Sequence, residues 1–139
     1  MAVRVKLLIK CGDRELITTA LINSGFETDT PQLLLPITAA GRLGLSPPLG
    51  GMEETYDTAG GPAKVWVYPE KANVKVFVGD SFSREIKTDI VVSPIEDEVL
   101  ISDKLAGELE LVVEDFGKGL WRIRGKKEIY PTEKRQLWK

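Results

Sequence analysis

The sequence predicts an all-β protein, a small closed β-barrel with one or two short helices. Apolar residues recur at every second position in many short runs, the period of a strand with one buried face. Clusters of Gly, Pro and Asp separate those runs, and no strand–helix–strand rhythm appears. At 139 residues, with 42% hydrophobic and 29% charged residues, the chain suits one folded domain around one core.

Val3, Val5, Leu7, Ile9 and Cys11 share one parity against Arg4, Lys6 and Lys10, which marks a half-buried strand. Gly12-Asp13 turns the chain, and Glu15 to Ile22 returns it. Leu33-Leu34-Leu35 reads as a short buried strand. Pro36 opens a short helix that runs through Ala39-Ala40 to Leu43 and ends at Gly44. Pro47-Pro48 and Gly50-Gly51 mark a loop. Strands at about Glu53–Thr58 and Ala63–Pro69 flank Ala59-Gly60-Gly61-Pro62, a hairpin with a glycine-rich tip. Val74, Val76 and Val78 line a further strand, and after Gly79-Asp80 come Ile86, Thr88, Ile90 and Val92. Val99-Leu100-Ile101 precedes Ser102, which can cap a single helical turn stopped by Gly107. Leu109, Leu111 and Val113 alternate with glutamates, and Gly117-Lys118-Gly119 leads to a last strand at Leu120–Ile123. The domain therefore spans residues 1–123, with a basic C-terminal extension over 124–139.

Composition excludes several chemistries. The chain has no histidine, so it has no Ser-His or Cys-His pair and no His-containing zinc site. Cys11 is the lone cysteine and cannot form an internal disulfide; it ends an apolar parity and reads as a core residue. A reducing, cytoplasmic setting is the expectation. No apolar run approaches the roughly 20 residues that span a bilayer, so no membrane partner is expected. Neither a metal nor a cofactor is called for. Asn and Gln are scarce beside many Lys and Glu, a composition of thermophilic character. Charge is uneven: from Gly117 onward the net is +6, and the preceding body carries −8. A basic tail could touch nucleic acid, but it carries no motif for that; the plainer expectation is a solvated tail or one docked on an acidic surface. Glu96-Asp97-Glu98 reads as a solvated acidic loop, and Trp66 and Tyr68 as neighbours on one strand face.

The chemistry-bearing stretch is Ala20-Leu21-Ile22-Asn23-Ser24-Gly25, an apolar strand running into a tight small-residue turn, with Glu27 and Thr30 beyond it. With aspartate at position 23, it would be the Asp-(Ser/Thr)-Gly signature of an aspartic protease. The stretch resembles the active-site loop of retropepsins, the retroviral-type aspartic proteases. Gly60-Gly61-Pro62-Ala63-Lys64-Val65 resembles their flap, and Leu100-Ile101-Ser102-Asp103-Lys104-Leu105 resembles the segment before their terminal helix. The three occur in the family's order and together span about Val3 to Val113.

The resemblance implies a homodimer, because each subunit of that family supplies one aspartate and two must meet about a two-fold axis. Two carboxylates so placed share one proton, since both cannot ionise side by side, and the pair activates a water against a peptide carbonyl. It further implies that Asn23 stands at the catalytic position, with Ser24 near the axis and Gly25 admitting substrate backbone. Glu27 would bind the main chain of a peptide or protein substrate, and Gly60, Gly61 and Pro62 would form the closing flap. Asp29 and Asp57 flank the implied cleft. The sequence departs from the family at Asn23, at Ser102 where a glycine is expected, and at Pro62, which stiffens the flap. Asn23 cannot act as a general base. Either it replaces the aspartate of a protease otherwise intact in its motif, the favoured reading, or the chain is a natural non-catalytic dimeric binding domain of the same fold.

Overall fold

A computed structural model describes residues 2–139. The protein is mostly β, with a closed six-strand mixed barrel and two short helices. Strands β1 (Arg4–Cys11) and β2 (Arg14–Ile22) form an antiparallel hairpin in register from Arg4 opposite Leu21 to Cys11 opposite Arg14. Val5, Leu7, Ile9 and Cys11 all point into the core, as their shared parity requires. There follow β3 (Gln32–Pro36), α1 (Ile37–Arg42), β4 (Met52–Thr58), β5 (Gly61–Val78), β6 (Ser81–Phe82), β7 (Ile86–Ser93), β8 (Leu100–Ile101) and α2 (Asp103–Glu108). A separate three-stranded sheet closes the chain, from β9 (Leu111–Asp115), β10 (Leu120–Ile123) and β11 (Tyr130–Pro131).

Barrel order is β1-β2-β8-β3-β7-β5, and β5 pairs back to β1 through Leu7–Val76 and Lys10–Asn73. Closure removes the sheet edges that would otherwise stay unpaired. Two pairs are parallel, β3 with β7 and β2 with β8. Alternation shows which way side chains point, but not which strands become neighbours.

Three local expectations are corrected. The strands expected separately around Ala63–Pro69 and Val74–Val78 are one strand of 18 residues, β5. It bends at an irregularity between Tyr68 and Ala72, where Glu70 takes φ 49° and donates its N–H to Asp89 Oδ1 at 2.7 Å. Pro69 lies in that interruption, where a missing N–H breaks no ladder bond, so the strand continues past it. Gly107 does not stop α2; the helix runs through Glu108, and Glu110 makes the left-handed turn at φ 63°. Leu109, fully buried, caps the helix instead of opening the next strand. Glu98, expected to be solvated, is 6% exposed and is paired with Arg4 and with Arg135, the latter at 3.6 Å. Two guanidinium groups thus meet this buried carboxylate, as a buried charge requires.

The region from 124 onward lies against the body of the same chain. Thr132 Oγ1 accepts from Arg4 N at 2.7 Å, and Glu133 N donates to Arg4 O at 2.9 Å. Thr19 N donates to Gln136 Oε1 at 3.0 Å, and Trp138 Nε1 donates to Thr18 Oγ1 at 3.0 Å.

Apolar packing divides in two. The main cluster fills the barrel. A smaller one, Leu34, Val65, Val67, Val91 and Leu100, lies apart from it, with Leu21, Phe26 and Tyr56 packed on it. That second cluster explains why Leu33-Leu34-Leu35 and Ile90-Val91-Val92 are buried without alternation: both faces of these strands are covered.

Candidate functional site

The site begins where β2 ends. Strand β8 runs parallel to β2, with Ile22 opposite Ile101, and Asn23 N donates to Ile101 O at 3.1 Å. The chain then turns tightly, with Phe26 N donating to Asn23 O at 3.0 Å. The Asn23 side chain is held inside that turn, its Oδ1 accepting from Gly25 N at 3.1 Å. A Cβ on residue 25 would come within 3.3 Å of the same Oδ1, so glycine leaves the amide room.

The loop is anchored by residues distant in sequence. Asp103 N donates to Phe26 O at 2.9 Å, and Thr28 N donates to Asp103 Oδ1 at 3.0 Å. Ser102, fully buried, accepts from Leu105 N at 3.1 Å and from Gln32 N at 3.2 Å. It thus caps α2 and pins β3 at once, and a hydroxyl with two lone pairs can do both.

The β4–β5 hairpin forms the roof. Thr58 pairs with Gly61 across the two-residue loop Ala59-Gly60. Gly61 has φ 108°, a conformation that disfavours any side chain. Thr58 Oγ1 donates to Gly61 O at 2.6 Å and accepts from Gly60 N at 3.2 Å, which stiffens the tip. Pro62 lies within β5, opposite Asp57. Strand β4 ends the sheet path, so among the described residues its outer edge has no strand partner.

A chain of hydrogen bonds ties roof to floor. Tyr56 OH donates to Gln32 Oε1 at 3.0 Å, and Gln32 Nε2 donates to Thr30 Oγ1 at 3.2 Å. Thr30 Oγ1 donates in turn to Asp89 Oδ2 at 2.6 Å. The Phe26 and Tyr56 rings lie 6.4 Å apart. Burial, then the nearby Glu54 carboxylate, hold the Tyr56 hydroxyl above the ordinary tyrosine value; the Gln32 bond opposes that and Asp89 adds to it. Sequence reasoning missed Tyr56 and Gln32. The available signals were weak: Gln32 is one of two glutamines, and Tyr56 shares a parity with Glu54 and Thr58 on the hairpin.

Between roof and floor lies a cleft of about 930 Å³. Its lining brings together Asn23, Gly25 and Glu27, and also Asp29 and Asp57. Ser24 is exposed on the loop tip outside this lining. Gly60, Gly61 and Pro62 also stand outside it, although Thr58, Ala59 and Ala63 beside them belong to the wall. The floor is apolar, from Leu34 and Leu100 of the second cluster with Phe26 at one side, and Val65 of the same cluster faces it from the hairpin. Among the described residues, no group of three or more His, Cys, Asp or Glu is placed to hold a metal ion.

Chemically, one copy offers a groove with an apolar base, an unpaired strand edge and a neutral amide at its end. A carboxylate at position 23 could accept the same Gly25 N–H, because amide and carboxylate share one shape. No protein-family model matches the chain, and no curated protein is similar to it.

Proposed function

We propose that this chain is a retropepsin-like domain that pairs with a second copy to enclose one cleft for an extended peptide. Its parent activity is endopeptidase hydrolysis by an aspartyl pair, silenced here by Asn23. One observation carries this reading. Asn23 directly follows β2 beside the parallel β8, held in a small-residue turn, and lines a cleft that also takes in the wall of a glycine-tipped hairpin.

With aspartate at 23 in both copies, one carboxylate would be ionised and the other protonated. The ionised one takes a proton from water as the water oxygen attacks the peptide carbonyl carbon. The protonated one donates a hydrogen bond to the developing oxyanion, and a proton then passes to the leaving nitrogen. Main-chain groups on the outer edge of β4 would pair with the extended substrate. Residues 132–138 engage their own barrel, so the Asn23–Gly25 loop and the hairpin tips are the surfaces proposed to meet.

A second reading has the same fold acting as a natural non-catalytic peptide- or protein-binding domain. Asn23 itself favours it, since two neutral amides would bind a peptide without cutting it. Asn23→Asp separates the two. Sedimentation should report a dimer, and mass spectrometry of a peptide library should show cleavage favoured at acid pH and blocked by hydroxyl-bearing transition-state mimics. A clean dimer of the variant that cuts nothing from acidic to neutral pH would eliminate the protease reading and leave the binding domain.

A further inference from the structure

We infer that the cleft selects cationic peptides, extended segments with an apolar centre flanked by Lys or Arg. This rests on the peptide-cleft reading above and names its ligand class. Glu27, Asp29, Glu54, Asp57 and Glu96 border the cleft, and no Lys or Arg belongs to its lining. Among the described residues, none of the five is in a salt bridge, and none accepts a side-chain or main-chain hydrogen bond through its carboxylate.

Adjacent residues on β4 show the contrast. Glu53 meets Lys64 at 3.7 Å, whereas Glu54 over the cleft is left without a cation. Glu15, Glu110 and Glu114 each have a basic partner elsewhere on the surface. The cleft thus gathers five carboxylates around one groove with no cation in its lining to offset them. Burial first, and then the Glu54 carboxylate on the cleft, hold the Tyr56 hydroxyl above its ordinary value.

Two further features fix the shape of the ligand. The apolar lining of Leu34, Val65 and Leu100 takes apolar side chains, and the consecutive residues Glu54 to Thr58 all line the cleft along a strand that ends the sheet path. An extended backbone can lie along that strand's outer edge. Lys and Arg suit the ends, because their long stems can cover apolar surface while the charged head reaches a rim carboxylate. Low-dielectric walls concentrate such a field and favour cations over the polyanionic backbone of a nucleic acid.

The test uses the full chain as it stands, which should bind without cutting. Calorimetry would compare synthetic peptides with one apolar centre and ends of Lys/Arg, Ser or Glu. The Lys/Arg peptide should bind about tenfold or more tightly than the Ser peptide, with a gap that narrows as salt is added, and the Glu peptide should bind most weakly. Glu54→Gln with Asp57→Asn should remove much of the gap, while Asp13→Asn at the distant β1–β2 turn should leave it intact. Equal binding of the Lys/Arg and Ser peptides would overturn the charge selection alone. So would a gap that persists when all five carboxylates are neutralised to amides. Absence of binding by every peptide would overturn the cleft reading and this inference with it.

Discussion

Two segments extend beyond the barrel wall, the β4–β5 hairpin and the C-terminal tail, and they are attached in opposite ways. The hairpin's free strand touches the floor through one side-chain hydrogen bond, Tyr56 to Gln32, and through the Phe26 ring. The tail is fixed at several points by both main chain and side chains. It bonds to Arg4, Thr18, Thr19 and Asp97, it places Arg135 on the buried Glu98, and Trp138 packs on the main core beneath the Arg42 guanidinium, 5.8 Å from the ring. The difference lies in what a break leaves behind. Freeing the hairpin returns a hydroxyl and an amide to water, whereas freeing the tail uncovers core and strips a cation from a buried carboxylate. Segments with few buried contacts open at low free energy, which is what a roof over a binding cleft requires.

The largest effect is expected at the buried pair under the tail. Arg4→Ala leaves Glu98 with only the more exposed Arg135, and should cost about 3 kcal/mol, lowering the Tm by roughly 10 °C. Thermal unfolding followed by circular dichroism would measure it, and a change within error would mean that the tail is not the rigid member of the comparison. Trp138→Ala should cost about 2 kcal/mol through lost packing and the lost Thr18 bond, and should speed amide exchange at Arg4 and Thr19. Tyr56→Phe should cost about 1 kcal/mol or less, yet speed exchange across the hairpin without affecting the tail. Its pH dependence sharpens the contrast. The folded state holds the Tyr56 proton more tightly than the unfolded chain, so this contribution is complete below the ordinary tyrosine value of 10.0 and is lost as pH rises beyond it. Denaturation above that pH should therefore be steeper for the parent than for Tyr56→Phe.

The β1–β2 hairpin was legible in full, because Val5, Leu7, Ile9 and Cys11 alternate against charged neighbours and Gly12-Asp13 marks the turn. So were α1 behind Pro36 and the cap at Ser102. The bent β5 was not, since Pro69 ends a strand by any local rule and only the interrupted ladder at Tyr68–Ala72 excuses it. At the site, Asn23, Gly25 and Glu27 could be picked out from one short stretch. The Tyr56–Gln32–Thr30–Asp89 chain could not, because its members come from three separate segments with no spacing to connect them.

By itself, the sequence determined which way each side chain points along a strand, where the chain turns, and which chemistry is absent for want of histidine. These follow from covalent geometry and composition, which act over a few residues at a time. Tertiary structure alone decided that β8 slips in parallel beside β2, that β5 bends to close the barrel onto β1, and that five unpaired carboxylates gather round one apolar floor. Such placements depend on contacts between distant segments, formed only when closure of the barrel brings them together.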